Sequence, residues 1–288
     1  MRKGKGQEAQ TATLVLGGTG KTGRRVAQRL VARGVPTRVG SRSGEPPFDW
    51  EDEATWAPAL RDVESVYVSY TVPDVAVPGA VEAVGSFAEL AVESEVRRLV
   101  LISGRGEEEA QRAERVVQEV SENAGAVWTI VRCAWFSQNF SESYFLEPIL
   151  GGEVVLPAGD IPEPFVDADD IADVAVAALT EDGHAGQIYE LTGPRMLTFA
   201  QAIDEISRAS GRKIRFVPVS VEEYASLLVE QNVPADYVWL LTYLYREVLD
   251  GRNAYLTDGV QRALGREPKD FADYVRDAAA TGIWGGER

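Results

Sequence analysis

Three observations predict an α/β fold in which a doubly wound parallel sheet is followed by a smaller, mostly helical C-terminal lobe. From Thr11 onward, short β-branched runs alternate with segments of helical periodicity. About six such strands precede Cys133, a density that suits a parallel sheet with helices on both faces. Hydrophobic residues make up 45% and charged residues 26% of 288, the proportions of a globular chain with a sizeable core.

Ala12–Leu16 reads as the first strand, followed by a glycine cluster and a helix that buries Val26, Ala27, Leu30 and Val31 and stops at Gly34. Thr37–Gly40 reads as the second strand. The loop Ser41–Pro47 leads to a short third strand near Phe48–Trp50, and Val63–Ser69 supplies the fourth. Val77, Val81, Val84, Ala88 and Ala91 recur at helical intervals, after which Arg98–Ile102 begins the fifth strand. Ala113, Val116 and Val120 stripe the next helix, and Val127–Val131 is the sixth strand. Beyond Cys133 the alternation weakens: Ile188–Leu191 and Ile214–Val217 read as strands, and Thr198–Ala209, Val221–Glu230, Ala235–Leu249 and Asp270–Ala280 as helices. The expected division is a flexible tail over 1–10, a dinucleotide-binding Rossmann domain over 11–150, and a mixed segment over 151–288 that adds late strands and the smaller lobe.

Acids outnumber bases 45 to 29, a net charge of −16 that opposes binding to nucleic acid or an anionic membrane. Apolar runs are strand-length, short of the roughly 18 residues of a membrane span. A single cysteine, Cys133, and a single histidine, His184, exclude an internal disulfide and a Cys/His zinc site, and point to a reducing, cytoplasmic compartment. His184 lies in Glu181-Asp182-Gly183-His184-Ala185-Gly186, which reads as a turn rather than as a catalytic base.

The string Gly17-Gly18-Thr19-Gly20-Lys21-Thr22-Gly23 contains Gly-Lys-Thr, but a triphosphate loop needs a glycine at position 15, where Val15 lies inside the strand. Gly18-x-Gly20-x-x-Gly23, between a strand and a helix, instead fits the dinucleotide fingerprint. A turn without side chains lets backbone amides reach a pyrophosphate at the positive end of the helix, and Lys21 adds a mobile charge. An NAD site places an acid on the ribose at the end of the second strand; here Ser41 and Arg42 stand in that region and no acid precedes Glu45. NADP(H) is therefore expected in preference to NAD(H), with Arg42 on the 2′-phosphate.

These residues resemble the NmrA-like group of atypical short-chain dehydrogenases/reductases. The likeness spans nearly the whole chain after Gln10. It rests on the glycine loop, on Phe48-Asp49-Trp50, on Trp128–Arg132 followed by Trp135–Phe140, and on Phe165–Ala172. The resemblance implies that Asp49 and Trp50 neighbour adenine, that Ser69, Tyr70 and Thr71 lie along the cofactor, and that Ser103 and Gly104 neighbour the nicotinamide ribose. It places Trp135, Phe136 and Asn139 on the substrate side, with core packing as the alternative for the aromatic pair. Asp167, Asp169 and Asp170 read as the start of a helix near Ile171.

One departure bears on catalysis. The Tyr-x-x-x-Lys pair of typical short-chain enzymes is absent, because none of Lys3, Lys5, Lys21, Lys213 and Lys269 follows a tyrosine by four positions. Tyr70, Tyr144, Ser103 or solvent remain as proton sources, and a quinone acceptor tolerates the last. Cys133 stands where the family commonly has proline, and reads as a small core residue rather than a thiol sensor. The resemblance implies an NADPH-dependent oxidoreductase acting on a quinone-like or conjugated carbonyl compound. The alternatives are an NADP(H) redox sensor without turnover and a cofactor-assisted, non-reductive step. No metal site is expected.

Overall fold

The computed structural model describes residues 11–285, so the tail expected over Met1–Gln10 lies outside the described residues. Its first half runs β1 (Ala12–Leu16), α1 (Lys21–Ala32), β2 (Thr37–Gly40), a one-turn 3₁₀ helix, α2 (Trp56–Leu60), β3 (Val63–Val68), α3 (Ala80–Glu93), β4 (Arg98–Gly104), α4 (Glu108–Ala124) and β5 (Val127–Cys133). There follow α5 (Asn139–Glu142), α6 (Leu146–Gly151), β6 (Glu153–Leu156), α7 (Ala168–Thr180), β7 (Gln187–Leu191), α8 (Phe199–Ser210) and β8 (Arg215–Pro218). The chain closes with α9 (Val221–Glu230), α10 (Ala235–Tyr243), α11 (Gly259–Leu264) and α12 (Phe271–Ala280).

The main sheet is parallel throughout, in the order β2-β1-β3-β4-β5-β7. Its strands are near-continuous apolar runs because both faces are covered. Leu14, Leu16, Val66, Val68, Leu99 and Leu101 point to the layer holding α3 and α4. Val15, Tyr67, Val100 and Val131 point the other way, against α1 and α7. A second core, built around Phe140, Phe145, Phe165, Phe199, Phe271 and Trp284, fills the smaller lobe. Phe140 and Phe145 come from before residue 150, whereas α7 and β7 come after it and return to the sheet, so the chain weaves between the two cores.

Several elements differ from expectation. Phe48–Trp50 is not a strand. Among the described residues it forms only an isolated Asp49–Asp52 bridge, and Phe48 and Trp50 are buried, both edge-on to Phe87, with Phe48 stacked on Trp56. Aromatic packing across a tight turn mimics a strand's composition without its ladder. The sixth strand of the sheet is β7. The strand near Ile214–Val217 instead pairs in parallel with β6, a four-residue strand whose pattern is too short to detect. The helix expected over Ala235–Leu249 is α-helical only to Tyr243, and Leu244–Val248 continue it as a π turn.

Candidate active site

In the sheet order β1 stands between β2 and β3, so chain connections leave it in opposite directions and a crevice opens at the C-terminal strand ends. The glycine loop closes that crevice from below. Gly17 has φ +61°, and the Gly20 amide donates to the Gly17 carbonyl across 2.8 Å. A Cβ on Gly23 would lie 2.3 Å from the Gly17 oxygen, and one on Gly18 would lie 2.6 Å from Val39 Cγ1. These two glycines line neither cavity described below; they let helix, turn and β2 approach one another. α1 starts at Lys21 with no side-chain cap and no acid in its first turn. Its positive end is therefore uncompensated and suits an anion.

Two cavities meet over this loop. The smaller, about 300 Å³, is lined by Thr19, Ser41, Arg42, Asp49 and Trp50, together with Glu51 and Asp236. The larger, about 410 Å³, takes Gly20, Lys21, Thr22, Ser69 and Tyr70 from the first two loops. Ser103, Gly104, Trp135, Phe136, Asn139 and Tyr144 complete its far side. Gly17, Thr71, Pro73 and Tyr237 line both, so the two volumes are arms of one cleft. Trp50 is held by its Nε1, which donates to the Ser69 carbonyl at 3.0 Å. Arg42 is exposed at the mouth of the smaller arm.

Lys21 departs from the expected free charge at the pyrophosphate. Its Nζ donates to Asn139 Oδ1 at 2.7 Å and sits 5.5 Å from the Tyr144 ring centre. Burial pushes its pKa down to about 8, against the nearby Glu142 and Asp74 carboxylates, which act to raise it. Ser103 is also committed: its hydroxyl donates to Glu114 Oε1 at 2.6 Å, and Arg132 binds the same carboxylate at 2.5 and 2.9 Å. That hydrogen is held by Glu114, away from the cavity's open space. Burial raises the pKa of Tyr70, which weakens it as an acid, whereas Tyr144 is exposed at the cavity edge.

Trp135 both lines the cavity and packs on Phe199 and Tyr245, at 5.3 and 5.4 Å between ring centres, so cavity wall and core packing coexist. Cys133 is buried, and burial pushes its thiol well above the usual range, which agrees with a core role. His184 lies away from the cleft with Nδ1 2.9 Å from the Tyr189 hydroxyl. Asp167 caps α7 by accepting from the Asp169 amide, while Asp169 pairs with Arg29 and Asp170 with Arg266. No group of three His, Cys, Asp or Glu side chains suited to a metal exists among the described residues. Nor is any helix there long and apolar enough to cross a membrane.

Among the wall residues of the larger cavity that escaped sequence reading are two acids, Asp74 and Glu107. Asp74 Oδ1 accepts from the Ala76 amide at 3.0 Å, and burial raises its pKa. Glu107 Oε2 is buried without a hydrogen-bond partner among the described residues. The available signal was the Gly104-Arg105-Gly106 turn after the fifth strand, which can carry the next acid into the crevice.

The cleft fits a dinucleotide. It offers an uncapped helix end and a loop in which any Cβ on Gly17 would press on Ser69 Oγ and Thr71 Cγ2 at 3.3 Å. Residues 17–182 match the family described as NAD(P)H-binding. The chain is 30% identical to the uncharacterized oxidoreductase YesF of Bacillus subtilis over 96% of its length and 98% of that protein's. It is 32% identical to agroclavine dehydrogenase of Claviceps fusiformis, over 92% of this chain and 96% of that one. Triphenylmethane reductase of Citrobacter sp., solved in complex with NADP(H), superimposes with a TM-score of 0.74 at 21% identity, covering 93% of this chain and 99% of that one. The chain thus belongs to the NAD(P)H-binding family and is an oxidoreductase.

Proposed function

We propose that this protein is a cytoplasmic, NADPH-dependent reductase that passes hydride to a quinone-like or otherwise conjugated carbonyl compound. The observation that carries the reading is the join of the two arms at Gly17, with Ser41 and Arg42 at one end and the Trp135–Phe136 wall at the other. Ser41 and Arg42 would hold the 2′-phosphate; Asp49 and Trp50 would border adenine; the amides of Thr19–Thr22 would face the pyrophosphate. Asp49 and Glu51 also line that arm, but Asp49 Oδ1 is engaged by the Glu51 amide at 3.1 Å. Thr71 lines both arms, with Ser69 and Tyr70 beside it in the larger one, and Ser103 and Gly104 would border the nicotinamide ribose.

When bound, the reduced nicotinamide supplies the hydride. The chain's own work is to orient the acceptor and exclude water from it, which Trp135, Phe136 and Tyr144 do as an aromatic wall with Asn139 as a polar contact. The arm volumes suit a small molecule, and the net charge of −16 counts against a nucleic-acid partner. The test is NADPH oxidation by purified protein across a panel of quinones and enones. Tight NADPH binding with no oxidation of any member would refute the reading and favour a redox sensor.

A further inference from the structure

We propose that Glu107 donates the proton that completes reduction of conjugated carbonyl acceptors in the larger arm, extending the site from quinones to enones. The inference rests on the reductase reading above. Glu107 occupies the residue before α4, at φ −94° and ψ 115°, yet its side chain makes no capping hydrogen bond to that helix. It folds back over the end of β4 instead, so closely that a Cβ on Gly104 would lie 2.1 Å from its carboxyl group. There it lines the cavity beside Ser103, Gly104 and Tyr144, its Oε2 buried and unpartnered among the described residues.

The surroundings favour the protonated form of this carboxyl. Burial acts first to hold its pKa well above the ordinary value, and the charges of Asp74, from the loop after β3, and Glu114, on α4, act the same way. Cys133 on β5, Tyr144 after α5 and Tyr243 on α10 also face it, and none brings a positive charge. The cavity's cations are engaged elsewhere: Lys21 with Asn139, and Arg105 with Glu190 at 2.8 Å and with the Asn253 and Tyr255 carbonyls. A general acid must be protonated at the working pH, which an ordinary carboxyl is not.

The step balances. Hydride adds to the β-carbon of the enone, forming a C–H bond as the nicotinamide is oxidised, and the C=C pair moves onto the α-carbon and carbonyl oxygen as an enolate. The Glu107 O–H bond breaks, its proton passes to the enolate, and the carboxylate left behind regains a proton from solvent. A quinone leaves a phenolate-type anion that water can protonate, so its reduction depends less on this group.

The test compares wild type with Glu107→Gln, and with Gly104→Ala, whose methyl group displaces the carboxyl. Infrared difference spectra at neutral pH should show a protonated-carboxyl band in wild type that Glu107→Gln removes. The ratio of enone to quinone turnover should fall about 100-fold in Glu107→Gln, with NADPH affinity retained. Gly104→Ala should lower the ratio in the same direction. A missing band, or enone and quinone rates that fall in parallel, overturns the proposal. If the band is present but wild type oxidises NADPH with neither acceptor, the reductase reading itself fails, and the donor role with it.

Discussion

The Lys21 ammonium and the Asn139 amide oxygen lie 2.7 Å apart, although 118 residues separate them in sequence. This bond ties the first turn of α1 to the segment after β5, so the glycine loop and the aromatic wall close on the cavity as one unit. Asn139→Ala leaves a half-buried ammonium without its acceptor. We expect a loss of about 1–3 kcal/mol in unfolding free energy, measured by chemical denaturation without cofactor.

Arg42→Ala separates cofactor choice from folding. Arg42 is exposed and lines the smaller arm. Its removal should weaken NADPH binding by about 1.5–3 kcal/mol and leave NADH nearly unchanged. Fluorescence titration with each cofactor reads this directly. An equal loss for both would assign Arg42 to the scaffold.

Gly23→Ala tests the loop as a packing device. The new methyl would sit 2.3 Å from the Gly17 carbonyl oxygen, and both groups are backbone-fixed. Overpacking of this kind costs about 1–3 kcal/mol. A lowered melting temperature together with weakened NADPH and NADH binding is expected; an unchanged melt would show that the helix start can shift.

Glu114 is 1% exposed and holds Arg132 and the Ser103 hydroxyl. Glu114→Ala leaves the Ser103 hydroxyl without its acceptor and the Arg132 guanidinium with only Glu190, at 3.4 Å, and should destabilise by about 3–5 kcal/mol in denaturant titrations. A change below 1 kcal/mol, on the order of a solvent-exposed pair, would contradict the buried network.

Glu163 gives a pH signature. It is 1% exposed, with Oε1 unpartnered among the described residues, and burial raises its pKa to about 8. The folded state therefore holds a proton that the unfolded chain has released between the ordinary carboxylate value and about 8. The resulting stabilisation is fully present below that window and is lost as pH rises through it. Glu163→Gln cannot titrate, so the stability difference between wild type and variant should drift against wild type from pH 5 to pH 8. A difference that stays flat would place the Glu163 pKa near its ordinary value.

The resemblance to a family contributed the most specific expectations about the cleft, but the geometry redistributed their roles. The glycine string, its strand and its helix were legible because turn chemistry and periodicity are local. Gly18 and Gly23 also permit close packing against Val39 and Gly17, and Lys21 turns toward Asn139, because side-chain partners are chosen by neighbours from distant segments. The Ser103 hydroxyl donates to Glu114, eleven residues on, across a helix–strand contact that no spacing rule announces.

What the amino-acid sequence determined by itself was the parallel sheet, the fingerprint loop, the absence of a Tyr-x-x-x-Lys pair and the acidity that counts against polyanionic partners. Each follows from residue type and short-range spacing. The tertiary structure alone decided that Phe48–Trp50 is an aromatic plug instead of a strand, that β7 completes the sheet, and that Glu107 faces the cavity with a buried, unpartnered oxygen. Those outcomes depend on burial and on charges brought together from β3, β4 and α4, and a carboxyl in a charge run has the same composition whether it faces water or a cleft.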